Sequence, residues 1–165
     1  MAFNYPKFNK KGVKTISKIN GKNKDMMMDI FVVKLAAGQS AEYFEKEKEM
    51  CVLLTEGAIE MQCGDVVGKG ERSGVFDDLT VKATKDSEII YLATFNERTF
   101  PTKFYDKKDV IVSVSCEGLW ENTAVRDVNT IFDYSNAPYS NLVVGEVLAR
   151  QGRWWSYLPH SHPQP

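Results

Sequence analysis

The sequence has 165 residues, a net charge of -1, 43% hydrophobic residues and 26% charged residues. This is the composition of an ordinary globular domain, so collagen-like and low-complexity chains are excluded. The balanced charge argues against nucleic acid or an anionic membrane as a partner, and no apolar run approaches the roughly 18 residues of a membrane span.

The first part of the chain predicts a charged segment followed by a strand. Residues 1–24 contain seven lysines and no acidic residue. A basic arm for nucleic acid is one interpretation, but a solvated segment with some strand character is favoured, because arginine is absent. A strand is then predicted over Met27–Leu35. Residues 41–49 are highly charged and fit either one helical turn or an exposed loop edge.

The middle of the chain predicts a hairpin. Residues 50–55 and 58–63 are strand candidates, and Glu56 and Gly57 form the tight turn between them. Glycine suits this place because such turns need a positive φ.

More short strands are predicted along the rest of the sequence, and no long segment keeps the 3.6-residue period of an amphipathic helix. The candidates are 79–83, 88–95, 109–115, 119–128, 142–149 and 153–158. Many short strands with glycine turns are typical of an antiparallel sandwich or barrel, so the predicted fold class is all-β.

Three cysteines, Cys51, Cys63 and Cys116, are widely spaced and form no Cys-x-x-Cys pair. An odd number at such spacing is not typical of a disulfide framework or a zinc knuckle. We therefore expect reduced, mostly buried thiols. Because the sequence also begins without an apolar signal segment, we expect a cytoplasmic protein.

The two histidines of the chain, His160 and His162, are the candidate metal ligands. Side chains at i and i+2 of an extended segment point to the same side, so these imidazoles can bind one metal ion. The alternative is a terminal segment without a ligand. A metal site needs three or four protein ligands, so others would come from upstream, from another subunit or from sequence beyond this one.

Three other groups of residues have a functional and a structural interpretation. The acidic cluster of Glu42, Glu45, Glu47 and Glu49 is interpreted as a solvated face. The aromatic group of Trp154, Trp155 and Tyr157 fits a sugar pocket, although core packing is the favoured interpretation. The arginines Arg126, Arg150 and Arg153 fit either a carboxylate clamp or a solvated surface. No side chain is identified as a catalytic base.

The stretch from Asn141 to His162 resembles the family of 5-deoxy-glucuronate isomerases of myo-inositol catabolism, which also contains the 5-keto-4-deoxyuronate isomerases. The pattern is a strand ending in Gly-Glu-Val, a turn, and a Trp-Ser segment before Pro and His-x-His. Three further stretches also fit the family: Val125–Val128, Phe3-x-Tyr5-Pro6 and Val75–Leu79. The residues that match the main pattern are Gly145, Glu146, Val147, Trp155, Ser156, Tyr157, Pro159, His160 and His162.

This resemblance implies a bicupin, that is, two consecutive cupin-type antiparallel barrels. Residues 1–140 would form a degenerate N-terminal cupin, in which Ala41 and Tyr43 stand near the ligand positions and Glu49 stands at the glutamate position. Residues 141–165 would form the first strands of a second cupin, whose metal, zinc or manganese, is held by His160 and His162. The sequence stops before the next expected ligand, so we expect the N-terminal half of an enzyme, inactive by itself.

The implied activity is the interconversion of an aldose and a ketose form of a deoxy-uronic acid. A divalent metal would act as a Lewis acid and a side-chain base would move the proton. The expected partners are this small molecule and further copies of the chain, with no nucleic acid and no membrane. The alternative is a metal-free cupin-like module for binding or oligomerisation.

Overall fold

The computed structural model describes residues 5–21, 23–45, 47–64, 66–70, 74–75, 79–98 and 100–155, and for 66–70 and 74–75 it describes the backbone alone. Thirteen strands and three short 3-10 turns make up the regular structure of these residues. The strands are β1 Val13–Ser17, β2 Asp29–Leu35, β3 Ser40–Tyr43, β4 Lys48–Glu56, β5 Ile59–Cys63, β6 Val66–Gly70, β7 Gly74–Val75, β8 Leu79–Ala83, β9 Ser87–Phe95, β10 Lys103–Phe104, β11 Ile111–Ser115, β12 Arg126–Phe132 and β13 Val144–Ala149.

The predicted all-β, antiparallel fold class is confirmed, because every strand pair is antiparallel. The 3-10 turns span Lys24–Met26, Lys107–Asp109 and Trp120–Asn122. Among the residues described, no helix combines the length and the apolar composition that crossing a membrane would require.

The first of two compact units comprises Met1–Lys108 and Tyr139–Leu142. It contains a six-stranded sheet in the order β1-β2-β9-β4-β7-β10 and a four-stranded sheet in the order β3-β8-β5-β6. Alternate residues of both sheets meet in one apolar core, as the period of two in a strand requires. The buried core residues are Val33, Leu35, Met50, Val52, Leu54, Ile59, Met61, Cys63, Leu79, Val81, Ala83, Ile89, Tyr91 and Ala93.

The predicted hairpin of residues 50–55 and 58–63 is wrong, although both strands exist. β4 pairs with β9 and β7, whereas β5 pairs with β6 and β8, so the two strands lie in different sheets. Gly57 does have a positive φ, 93°. The turn therefore carries the chain from one sheet to the other, and it contacts the first residue of β9: the amide of Ala58 donates to Ser87 Oγ at 3.1 Å.

The charged segment 41–49 forms neither a helical turn nor a simple loop edge. Residues 40–43 form β3, which pairs with β8, and β4 begins at Lys48. Pairing with β8 satisfies part of the backbone of residues 40–43, and local composition does not reveal this partner.

The second compact unit comprises Asp109–Pro138 and Val143–Pro165. Its three-stranded sheet has the order β11-β12-β13. The predicted strand 109–115 is confirmed as β11. The extended candidate 119–128 is wrong in its first half, because Trp120, Glu121 and Asn122 all have positive φ. For the candidate 153–158, residues 153–155 are not in a strand, and the remainder lies outside the described residues.

The expected boundary between residues 140 and 141 does not coincide with the division into compact units. The chain leaves the first unit after Lys108 and returns to it for Tyr139–Leu142. The return segment belongs to the first unit because its polar groups bond there, as described below.

Candidate functional site

His160 and His162, the predicted metal ligands, lie outside the described residues, as do Ser156, Tyr157 and Pro159. Within the part of the chain that the structure describes, no group of three or more His, Cys, Asp or Glu side chains is arranged to hold a metal ion. His160 and His162 stay predicted ligands, and the nitrogen donors of imidazole suit zinc.

The aromatic and arginine candidates have separate surroundings in the second unit. Trp154 and Trp155 are 53% and 74% exposed, so the favoured interpretation as core residues is wrong for both. Arg126 is buried, and its Nη1 donates to Cys116 Sγ and to the carbonyl of Ala124 at 3.3 and 3.1 Å. Arg150 Nη2 lies 2.8 Å from Asp127 Oδ1, so Arg126 and Arg150 have separate partners, and Arg153 is exposed.

Glu49 does not occupy a ligand position inside the barrel. It is buried, but it alternates with Met50, Val52 and Leu54, whose side chains form the core, so it faces the other side of β4. Its Oε2 accepts from Asn96 Nδ2 at 2.9 Å, and its Oε1 accepts from the amide of Asn141 at 2.7 Å. Glu49 thereby binds the return segment 139–142 to the first unit.

The return segment has further bonds to the same unit. The carbonyl of Tyr139 accepts from Asn96 Nδ2 at 3.0 Å, and Asn141 Nδ2 donates to the carbonyl of Phe95 at 2.9 Å. The rings of Phe100 and Tyr139 also pack together, with centroids 4.6 Å apart. These contacts make Glu49 the centre of a buried polar network.

The expected ligand positions Ala41 and Tyr43 hold packing residues. Both pack against the core of the first unit. Tyr43 stacks on Tyr91 with ring centroids 4.6 Å apart, and Tyr91 stacks in turn on Phe31 at 5.7 Å. Neither a methyl group nor a phenol in an aromatic stack replaces an imidazole ligand, so these residues do not fit a metal at this place.

A charged group, here called the rim cluster, borders this aromatic stack at one end of the barrel. It consists of Asp29, Glu45 and Lys48. Lys48 Nζ lies 2.8 Å from Asp29 Oδ2 and 2.9 Å from Glu45 Oε2. Asp29 Oδ1 also accepts from the amide of Ile19 at 2.7 Å, and Tyr91 Oη lies 3.4 Å from Glu45 Oε1. The cluster and its partners thus link strands β2, β4 and β9 with the segment that follows β1.

The rim cluster was missed in the sequence because the acidic segment looked like a solvated face. That interpretation holds for Glu42 and Glu47, which are exposed, and is wrong for Glu45 and Glu49. Lys48 shares a face with Met50 and Val52, but residues 50–54 are apolar without interruption. A continuous apolar run has no alternation, so the sequence did not show which charged neighbour points inward.

Burial and charge change the titration of the groups in this barrel. Burial raises the pKa of Tyr43 to about 12 and, with the nearby Glu49 charge, raises the pKa of Cys51 to about 12. Burial and the Glu45 and Asp29 charges also raise the pKa of Tyr91. For Lys48, burial lowers the pKa, but the hydrogen bonds to Asp29 and Glu45 and the charges of these two carboxylates together outweigh burial and raise the pKa.

These raised pKa values predict a loss of stability at alkaline pH. A group whose pKa is raised by folding stabilises the protein fully below its ordinary pKa and no longer does so above the folded one. For Tyr43 that window runs from pH 10.0 to about 12. We expect the free energy of unfolding to fall across this window, and tyrosinate absorbance to show a late phase that is reduced in Tyr43→Phe. An identical late phase in the variant would contradict the assignment.

The model of the KduI/IolB family matches residues 3–165. A 5-deoxy-glucuronate isomerase of Bacillus subtilis strain 168 is 26% identical over 169 residues, covering 93% of this chain and 61% of that protein. The protein of the same name from Geobacillus kaustophilus is 30% identical, covering 79% of this chain and 51% of that protein. This chain therefore spans about half to three-fifths of the length of these relatives.

A solved structure supports the fold. The crystal structure of an IolB-like protein from Salmonella typhimurium LT2 superposes with a TM-score of 0.69 at 22% identity, covering 76% of this chain and 52% of that one. The antiparallel barrel of the first unit is thus of the cupin type that the resemblance implied. The family match over nearly the whole sequence, together with this fold, shows that the chain belongs to the KduI/IolB family.

Proposed function

We propose that this protein takes part in the isomerisation of 5-deoxy-glucuronate between its aldose and ketose forms, in the cytoplasmic breakdown of myo-inositol. The observation that carries the proposal is the family match over residues 3–165, with relatives that bear the name 5-deoxy-glucuronate isomerase. The three cysteines are free and buried, which agrees with a reducing compartment.

The reaction moves one proton between two adjacent carbon atoms and needs no external oxidant or reductant. His160 and His162 would hold a zinc or manganese ion through neutral imidazole nitrogens at positions i and i+2. When bound, such an ion supplies Lewis acid chemistry that polarises the carbonyl and hydroxyl oxygens of the substrate. The remaining ligands would come from outside the residues that the structure describes, and the 165-residue chain alone would be inactive.

Zinc titration tests the ligand assignment. His160 and His162 are the two histidines of the sequence, so their imidazole NMR signals report on the site directly. We expect both signals to shift when zinc is added. In the titration, the affinity of the chain for zinc should fall at least tenfold in His160→Ala/His162→Ala, and it should also fall in the wild type as the pH drops below about 6.5. Ser161→Ala, the matched control between them, should bind as the wild type does. Equal affinity in the wild type and the double variant would refute the assignment.

Turnover is tested on the chain and in the cell. The purified chain should not convert 5-deoxy-glucuronate. Conversion by this chain would contradict the proposal that it is inactive by itself. Cell extracts that lack the coding sequence should lose this conversion, and the wild-type sequence, but not the double variant, should restore it. Undiminished conversion in the deleted extract would refute the isomerase proposal.

A metal-free module for binding or oligomerisation is the second candidate. The observation that favours it is the first barrel, where Ala41 and Tyr43 pack in an apolar core at the expected ligand positions. Retained conversion in the deleted extract, together with unchanged imidazole signals in zinc, would favour this candidate over the isomerase.

A further inference from the structure

A cavity of about 530 Å³ lies at the end of the first barrel where the chain enters β1 and β9 and leaves β2 and β4. The rim cluster lies at the other end, since Asp29 and Lys48 are the first residues of β2 and β4. The volume is within the range of small-molecule pockets. The charged residues that line the cavity are Lys10, Lys11, Lys34, Glu56, Asp86 and Glu88.

The charges of this cavity are sorted by sign across the sheet. Lys34 on β2 lies directly opposite Glu88 on β9, and Glu88 lies directly opposite Glu56 on β4. Residues in such positions share one face of a sheet. The carbonyl of Gly12 accepts from the amide of Lys34 at 2.9 Å, so the lysine turn before β1 continues the same row. The cavity therefore has a positive end at residues 10–11 and a negative end at Glu56.

The middle of this row is neutralised within the chain, whereas its two ends are not. Lys34 Nζ lies 3.8 Å from Glu88 Oε2 and 4.8 Å from the ring centroid of Phe8. Among the residues that the structure describes, the side chains of residues 10–11 and of Glu56 have no ion-pair or hydrogen-bond partner. Glu56 also faces the like charge of Glu88 on the neighbouring strand, which is unfavourable. Both ends thus have charges that a ligand can neutralise.

We propose that this cavity binds a zwitterion whose carboxylate and ammonium are separated by several carbon atoms, such as an ω-amino acid. The ligand carboxylate would lie at Lys10 and Lys11, and the ligand ammonium would lie at Glu56. The aliphatic stem of Lys34 and the methyl group of Ala36 would contact the carbon chain between them. This site belongs to the first barrel and does not rest on the isomerase proposal.

The spacing of the strands sets the length of the ligand. The lysine turn and β4 are three strand intervals apart, which is about 14 Å between their backbones. Side chains stand roughly perpendicular to a sheet, so the charged groups keep a similar separation. One hydrogen bond of about 2.8 Å at each end leaves about 8 Å for the ligand. An extended 6-aminohexanoate has this span, whereas an α-amino acid is too short to contact both ends.

The test therefore uses 6-aminohexanoate as the probe, titrated into the isotope-labelled chain. NMR follows the amide signals of Gly12 and Ala36, which line the cavity. We expect saturable shifts of both signals. Hexanoate and hexylamine, which each lack one charge, and free glycine, which is too short, should bind about fivefold more weakly or less. Equal affinity for the probe and any of these three compounds, or no saturable shift with the probe, would overturn the proposal.

Variants of the two ends identify which charge of the probe each end holds. Lys10→Gln/Lys11→Gln and Glu56→Gln should each weaken the binding of 6-aminohexanoate about fivefold. In Glu56→Gln the affinity for hexanoate should not fall, because hexanoate has no ammonium. The matched controls Lys82→Gln and Glu42→Gln remove exposed charges outside the cavity and should leave the affinity at the wild-type value. Wild-type affinity in either end variant, or equal weakening in the controls, would refute the site.

Discussion

Substitution of Gly57 by alanine is expected to destabilise the first unit by about 2–5 kcal/mol. A Cβ at this position would lie 2.3 Å from the carbonyl oxygen of Asp86 and 2.4 Å from Ser87 Oγ. The residue also has a φ of 93°, which costs an L-amino acid about 1–2 kcal/mol. Asp86 Oδ1 accepts from the amide of Ala37 and Ser87 Oγ donates to the carbonyl of Lys85, so a shift of these residues would disturb other bonds, and we expect the clash to add about 1–3 kcal/mol.

The matched control is Gly38→Ala. Gly38 has a similar φ of 82°, but a Cβ there would have no atom within 4 Å. Its loss should therefore be the conformational cost alone, about 1 kcal/mol, because alanine also restricts the unfolded chain. Urea unfolding of both variants measures the difference. Equal losses of unfolding free energy in the two variants would show that the close approach of Gly57 to Asp86 and Ser87 contributes nothing.

Removal of the Glu49 carboxylate is expected to destabilise the protein by about 2–4 kcal/mol in Glu49→Ala. The amide of Asn141 loses its acceptor and Asn96 Nδ2 loses one of two, and hydrogen bonds to charged groups contribute about 1.5–3 kcal/mol each. Glu49→Gln should lose less, because its side-chain oxygen still accepts from Asn141. Exposed Glu42→Ala, the matched control, should change the free energy of unfolding by about 0.5 kcal/mol at most.

Hydrogen exchange locates the effect of Glu49→Ala. We expect the amide of Asn141 to exchange much faster in this variant than amides of β4 and β9, because its bond to Glu49 anchors the return segment. Uniform acceleration over the whole first unit would indicate a global loss of stability instead. Unchanged exchange at Asn141 would contradict the role of Glu49 as the anchor of residues 139–142.

The position of the Glu49 side chain distinguishes the first barrel from a metal-binding one. A glutamate at a familiar position in the sequence suggests a ligand, yet its side chain bonds to Asn96 and Asn141 on the outer side of β4. The inner side at this end is occupied by Lys48, whose ammonium is paired with Asp29 and Glu45. The positive charge beside the stack of Phe31, Tyr43 and Tyr91 is therefore the ammonium of Lys48.

The sequence alone determined the fold class, the family and most strand positions. Glycine turns, β-branched runs and the absence of a helical period predict short antiparallel strands. These signals are local, so they can be recognised before it is known which strands pair with each other. The motif from Gly145 to His162 depends on residue identity, which the sequence displays directly. The metal role of His160 and His162 stays a prediction.

The tertiary structure decided which strands pair and which charged residues point inward. The glycine turn at Gly57 predicts a hairpin, but β4 and β5 enter different sheets because β4 pairs with β9 and β5 pairs with β8, both of which come later in the chain. Glu45, Lys48 and Glu49 look alike in one polar run, yet they have different surroundings once β4 is fixed against β9. Pairing register and burial are long-range properties, and a strand slipped by one residue would exchange the inner and outer faces.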